Sequence, residues 1–282
     1  MNSYRDFVNG FAKLFREGKS LSPKNSSRRK KPLAKDAPVV LIFSPHPDDE
    51  CIVGGLPLRL SREMGARVIN VVVTLGSNTK RRSARLRELK RACDALGFEL
   101  EQTSQKGLEN INPEARAKKT KSWVAAVKIV AGILAKHQPC VIFFPHQFDH
   151  HPTHIGTHWL VMDALKTMPK AFECHLIETE FWGQMSSPNL LVESSVEDVA
   201  DLVSALSLHT GEVRRNPYHL RLPAWMQDNV RRGAELIGGK GGTAPDFLFG
   251  TLYRVRGWKG SHIENFLKMG KLIDTKGPLE LR

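Results

Sequence analysis

The stretch that most constrains this chain is Val39-Val40-Leu41-Ile42-Phe43-Ser44-Pro45-His46-Pro47-Asp48-Asp49-Glu50. A short β-branched and aromatic run empties into one imidazole and three carboxylates. Such a run is a buried strand, and its polar end delivers a cluster of like charges to the rim of a sheet. Carboxylates this close repel unless something positive sits among them, and a divalent cation is the usual answer.

From Ala37 onward, apolar runs alternate with helical periodicity. Val39–Ser44 is a strand, Gly54–Met64 a helix with Gly54-Gly55 at its start, and Val68–Thr74 a second strand. A polar loop, 75–83, leads to a helix over Arg85–Leu96, stopped by Gly97 and followed by a short strand at Phe98–Leu100. Polar residues 106–122 read as a loop before a helix at Trp123–Lys136, and Cys140–Phe144 is the next buried strand. Later come a strand within Phe172–Trp182, helices at Val196–His209 and Trp225–Ile237, and a strand at Phe247–Val255. This alternation argues for an α/β fold, Rossmann-like, a three-layer sandwich on a mostly parallel sheet. Ligands of such sheets bind outside the carboxyl ends of the strands, so the loops after Phe43, Val73 and Phe144 are expected to converge. The run Gly238-Gly239-Lys240-Gly241-Gly242 follows a helix instead of a strand and is no dinucleotide fingerprint.

The loop after Phe144 supplies the partner for the acidic cluster. Five of the chain's eleven histidines, His146, His150, His151, His154 and His158, fall within thirteen residues. Imidazole together with carboxylate suits zinc or iron(II), and three protein ligands leave one position for water. Spacing alone does not select the ligand, because His150/His154 and His154/His158 are both i,i+4 pairs. Pro152 favours a helix from about Thr153, and His154, common to both pairs and nearest that start, is the preferred choice.

In their order and spacing these motifs resemble the PIG-L/LmbE-like zinc-dependent N-deacetylases. The resemblance is carried by Pro45-His46-Pro47-Asp48-Asp49-Glu50 with Gly54-Gly55, by Thr74-Leu75-Gly76, and by Arg85-Leu86-Arg87-Glu88 with Ala95-Leu96-Gly97. Asp149-His150-His151-Pro152-Thr153-His154 completes it, with a weaker echo at Ala205-Leu206-Ser207-Leu208-His209. It implies a hydrolase that removes acetyl from an N-acetylglucosamine-type conjugate with the help of Zn2+, Fe2+ being the other metal this ligand set suits. By the same resemblance His46, Asp49 and His154 are metal ligands, and Asp48 is the general base. His151 is the protonated partner that stabilises the tetrahedral intermediate and helps protonate the leaving amine, and Arg85 is a substrate contact. His209, at a helix end, either borders the pocket as a substrate contact or merely caps the helix. Glu50 supports its loop by hydrogen bonds. Thr153 stands where the family often has an aspartate that orients His151, so that either Asp149 takes over this duty or the histidine is less assisted and the rate drops. The basic loop Lys80-Arg81-Arg82 could meet an anionic group on the substrate.

Charge helps to divide the chain. Residues 1–36 hold ten Lys/Arg against three acidic residues, a net of +7 out of the chain's +13, so the remainder is only mildly basic and a specific nucleic-acid role is not expected. Residues 1–36 read as a basic arm and 37–282 as the catalytic domain. In that arm Phe7, Val8, Phe11, Leu14 and Phe15 share one face of a helix over 4–17, and a Ser/Pro/Lys-rich linker follows. Such a helix either packs back on the domain or lies on an anionic membrane surface. A rival reading of the whole chain is therefore a polyanion- or membrane-surface-binding protein with a degenerate metal site. Other rivals are a hydrolase of a different amide, or of a phosphoester. The intact His46/Asp48/Asp49/His151/His154 set favours the enzyme, and the lack of carboxylates for a second metal counts against phosphoester cleavage. Four scattered cysteines without a CxxC pair, no 18-residue apolar run and no signal-peptide core point to a cytoplasmic protein.

Overall fold

The computed structural model describes residues 2–21 and 33–280. Strand β1 (Val39–Ser44) runs through the middle of the molecule, and its side chains alternate between two cores. Val40 and Ile42 enter one, Leu41 and Phe43 the other, all essentially inaccessible to solvent. A strand buried on both faces must be covered on both, which dictates helices above and below. The first core is closed by α3 (Leu56–Met64), α4 (Arg82–Leu96), α8 (Val196–Ser207) and α10 (Leu222–Leu236). The second is closed by α6 (Lys121–His137) and α7 (Pro152–Leu165).

Parallel neighbours flank β1 on either side: β2 (Arg67–Val72) with β3 (Glu99–Gln102) beyond it, and β4 (Val141–Pro145) with β5 (Cys174–Thr179) beyond that. The sheet then continues through β7 (Gly250–Lys259), antiparallel to β5, and β6 (Leu190–Glu193), ending on β9 (Lys271–Ile273), while β8 (His262–Asn265) pairs with β7. The strand order β3-β2-β1-β4-β5 reverses direction between β1 and β4. That reversal opens a crevice at the carboxyl ends of these two strands, the place where open α/β sheets bind ligands. Their loops are the two stretches singled out in the sequence. The α/β, mostly parallel, three-layer architecture expected from the sequence is the one observed.

Boundaries differ where tertiary contacts overrule local signals. The helix expected from Arg85 begins at Arg82, after a 3-10 turn at Thr79–Arg81 capped by the Asn78 side chain. A one-turn helix, α2 (Asp49–Ile52), precedes α3, and another, α5 (Pro113–Ala117), interrupts the expected 106–122 loop. Strands β6, β8 and β9 were not read at all. At Gly54 the backbone takes φ +90°, and a Cβ would overlap Tyr253 and Thr251. Tyr253 uses this close approach to donate to the Val53 carbonyl at 2.8 Å, tying the helix after Asp48 to β7 across the core.

The N-terminal helix α1 (Arg5–Gly18) forms as expected, but it does not pack its apolar stripe on the domain. Phe7, Val8 and Leu14 are more than 60% exposed among the described residues, while its last turn meets the body, Gly18 against Leu220 and Phe15 beneath the Arg221 guanidinium. Most of the linker expected after it lies outside the described residues. Cys51, Cys93 and Cys174 are buried and Cys140 is exposed, and no disulfide joins them among the described residues. Among the described residues no helix is long and apolar enough to cross a membrane.

Candidate metal centre and active site

The β1 loop turns sharply after Pro47. Asp48 adopts φ +120°, a conformation that costs a non-glycine residue roughly 1–3 kcal/mol and persists only where its surroundings over-determine it. The surroundings here are Glu50 and Tyr218. The fully buried Glu50 carboxylate accepts the Asp48 backbone N–H at 2.9 Å, and the Tyr218 hydroxyl donates to Asp48 Oδ2 at 2.6 Å. The turn separates two adjacent carboxylates. Asp48 borders the cavity with Arg85 Nη2 3.7 Å away, while Asp49 is turned toward the histidine loop.

Three atoms then meet. His46 Nδ1, Asp49 Oδ2 and His154 Nε2 lie 3.3–3.5 Å from one another. Ligands about 2.0–2.2 Å from a tetrahedral zinc are separated by edges of roughly 3.3–3.6 Å, so this triangle has the size such an ion demands. The donor set, two imidazoles and a carboxylate, is equally suited. His154 is wholly buried, and its far nitrogen, Nδ1, stands 3.5 Å from Asp149 Oδ1, the carboxylate–histidine backing typical of metal ligands. Asp149 itself is fixed by backbone N–H groups of His151, Trp182 and Gly183. Burial raises the pKa of Asp149, but His154 and these N–H groups outweigh it and hold the carboxyl at about 2. His154 is disfavoured as a cation by burial yet raised overall by Asp49 and Asp149. The residues present fit a divalent cation.

His151 joins the same cluster, within 4.8 Å of His46 and His154 at the ring nitrogens. It is the N-cap of α7: its Nδ1 accepts the Thr153 backbone N–H at 3.2 Å. An accepting Nδ1 places the ring proton on Nε2. Burial first, then the neighbouring His46 and His154, push its pKa below the usual value, so the neutral ring is favoured over the protonated one expected from sequence. Of the two alternatives left open by Thr153, Asp149 does not take over the ring. Asp149 takes the His151 backbone N–H and aims its carboxylate at His154, while ring orientation comes from the helix N-terminus.

His209 does not border the substrate space as expected. It has no exposed surface, and its Nε2 meets Glu50 Oε1 at 2.7 Å behind the loop. With Glu50 and Cys51 it forms a second buried cluster that supports the Asp48 turn from within. Its own position is set by Glu88 of α4, which accepts from Thr210 Oγ1 and the Gly211 N–H. His146 and His158 are likewise structural: His146 Nε2 reaches the Gly183 carbonyl, and His158 Nδ1 the Pro145 carbonyl. His150 is exposed.

Asp48 sits at the boundary between centre and cavity. Burial, then the charge of Asp49, raises its pKa to about 7 against the opposing pull of His209, Arg85 and the Tyr218 hydroxyl. The cavity beyond holds about 820 Å³ and is walled by Arg81, Arg82, Arg85 and Arg215, by Trp182, and by the Asn110–Asn112 loop. Arg85 donates to the Pro47 carbonyl at 2.9 Å and also faces Glu212, so its guanidinium is held against the β1 loop. Tyr218 and Glu212 were not among the candidates read from sequence. Tyr218 lies 170 positions from the aspartate it contacts, on a 3-10 turn at Tyr218–Arg221, and no local motif marks it.

Comparison with known proteins agrees with this picture. Residues 41–165 match the PIG-L family, described as GlcNAc-PI de-N-acetylase, which bears out the resemblance read from the motifs. No curated protein matches the chain significantly. Among solved structures, N,N'-diacetylchitobiose deacetylase from Pyrococcus horikoshii superposes with a TM-score of 0.57 at 19% identity, covering 94% of this chain and 98% of its own. The zinc-inhibited form of teicoplanin deacetylase Orf2 gives 0.57 at 15% identity, covering 78% and 98%. GalB, a 4-carboxy-2-hydroxymuconate hydratase from Pseudomonas putida, gives 0.57 at 15% identity, covering 77% and 95%. At these identities the likeness is one of fold, and the fold carries more than one chemistry.

Proposed function

Taking residues 41–165 as a PIG-L domain, we propose that this chain is a metal-dependent amide hydrolase that removes acetyl from an N-acetylated amino-sugar conjugate. The observation that carries the reading is the triangle of His46 Nδ1, Asp49 Oδ2 and His154 Nε2, with the carboxylate of Asp48 beside it at the cavity wall. His46, Asp49 and His154 would hold the ion, zinc or iron(II) by donor type. A divalent cation bound there would lower the pKa of a water and stabilise negative charge on the substrate carbonyl.

The chain's own residues do the rest. Asp48, poised near neutrality, takes a proton from the attacking water as it adds to the acetyl carbonyl. The same carboxyl then returns that proton to the departing amine nitrogen, so a free amine and acetic acid leave, the acid giving its remaining proton to solvent as acetate, and Asp48 is restored as carboxylate. The Nε2–H of His151 is a neutral donor for the oxygen that becomes negative. Arg85 steadies Asp48 and offers a cation to the cavity, and the flat face of Trp182, 56% exposed, gives a sugar ring a wall to lie against. Glu50 and His209 act at one remove, by holding the Asp48 turn.

The test is acetate release from N-acetylglucosaminyl conjugates by the metal-loaded protein, followed by NMR. Acetate and free amine in equal amounts are expected. Addition of water to an unsaturated acid, with no acetate from any N-acetyl compound, would contradict the proposal and point to the hydratase chemistry that shares this fold.

A further inference from the structure

Helix α1 leaves a stripe of large apolar side chains in the open. Tyr4, Phe7, Val8, Phe11 and Leu14 are between 48% and 72% exposed, and Phe7 and Phe11 stack edge to face with ring centroids 5.2 Å apart. Successive positions 7, 11 and 14 fall on one side of an α-helix, so these groups form a continuous strip and not scattered surface residues. The strip is bordered by charge of one dominant sign. Arg5, Lys13, Arg16 and Lys19 are exposed on the same helix against Asp6 and Glu17, Lys13 lying 3.8 Å from Glu17, and in sequence residues 22–36 carry six Lys/Arg against one acidic residue. An apolar stripe alone would suit a protein groove. Flanked by this density of cations, it matches an interface whose interior is hydrocarbon and whose surface is anionic.

The anchoring of the helix supports the same reading. Its last turn is clamped, Gly18 against Leu220 and Phe15 beneath Arg221, and among the described residues the stripe stays exposed along the first three turns. Leu220 and Arg221 belong to the 3-10 turn whose Tyr218 donates to Asp48. The helix is therefore fixed within one turn of backbone from the candidate site.

We propose that α1 is an in-plane docking helix for anionic lipid surfaces, its Phe7/Val8/Phe11/Leu14 face entering the acyl boundary and its Lys/Arg flank meeting the headgroups. Docked in this way, it holds the turn that carries Tyr218 close to the lipid surface. The inference does not depend on which bond the site cleaves.

Co-sedimentation of the full chain with vesicles tests it. Phosphatidylcholine vesicles containing phosphatidylserine should retain the protein at least about tenfold better than phosphatidylcholine alone, with the difference lost at high salt. Phe7→Asp/Phe11→Asp should abolish retention, and Lys13→Glu/Arg16→Glu/Lys19→Glu should weaken it by at least about tenfold. These side chains are exposed, so both variants should keep the circular dichroism and melting curve of the unaltered chain. Failure of that chain to bind phosphatidylserine vesicles would overturn the proposal. So would retention undiminished in Phe7→Asp/Phe11→Asp, which would assign the attraction to charge alone. A dimer in sedimentation velocity that Phe7→Asp/Phe11→Asp converts to monomer would give the face to a second copy and equally defeat it.

Discussion

Asp48 and Asp49 are chemically identical neighbours, and one backbone angle gives them different surroundings. The φ of +120° at Asp48 turns its carboxylate to the cavity, while Asp49 follows α2 back to the histidines. The Tyr218 hydroxyl bond favours the ionised form of Asp48 and so lowers its pKa. Tyr218→Phe should therefore raise that pKa, moving the acidic limb of the kcat/KM profile to higher pH and lowering turnover at neutral pH. An unshifted limb would show that the tyrosine does not control this group. At this scale the motif residues were legible because they are contiguous: His46, Asp48, Asp49 and Glu50 come within five positions, His151 and His154 within four. The supporting residues were not. Tyr218 and Glu212 reach the site only because α8 and the turns after it fold across the mouth, and His209 faces Glu50 instead of the cavity for the same reason.

At the scale of elements, the site depends on how firmly β1, β4 and their helices are joined. Gly54 lets α2–α3 approach β7, and Gly54→Ala would suffer twice. The positive φ costs a side chain roughly 1–2 kcal/mol, and overlap with Tyr253 and Thr251 adds about 1–3 kcal/mol of overpacking. Chemical denaturation should register a loss in that range; a neutral result would mean that the close approach is not structural. On the other side of the sheet, α7 packs His158 over β4 and β5, against the Pro145 carbonyl and Glu178, where burial pushes its pKa down to about 3. Its contact with Glu178 adds no cation–anion pair, since Glu178 already meets Arg256 at 2.9 Å. The unfolded chain protonates this histidine near pH 6.5 and the folded chain does not, so stability is full above that pH. It falls by up to about 1.4 kcal/mol per pH unit as pH drops from about 6.5 toward 3. His158→Gln should flatten the fall in midpoint over that window, and an unchanged slope would refute the assignment. Buried strands and amphipathic helices were readable from periodicity because β1, β2 and β4 are apolar on both faces. The short edge strands β6, β8 and β9 were not, since a strand of three or four residues is defined by its partner more than by its own pattern.

For the molecule as a whole, the order of strands decides where function can sit. Chain reversal between β1 and β4 brings loops about 100 positions apart in sequence into one crevice, and the acidic and histidine halves of the site meet there. A ligand that binds only the folded crevice stabilises the whole chain, by about 2.7 kcal/mol at a hundredfold excess over its Kd. Chelation should therefore lower the melting temperature of the metal-loaded protein by several degrees, and His154→Ala should melt where the chelated protein does. A chelator without effect on melting would mean the triangle holds no ion. The α/β class and the convergence of the two loops could be argued from sequence. The free apolar face of α1 could not, because exposure is a property of what the rest of the chain leaves uncovered. The central claim is that three residues hold a metal and a fourth moves the proton. It is tested most directly by measuring metal content and acetate release together in Asp48→Ala and His154→Ala. Asp48→Ala should keep one metal per chain and lose turnover by roughly 10²–10⁴-fold, while His154→Ala should lose both. Stoichiometric metal in His154→Ala, or full turnover by Asp48→Ala, would contradict it.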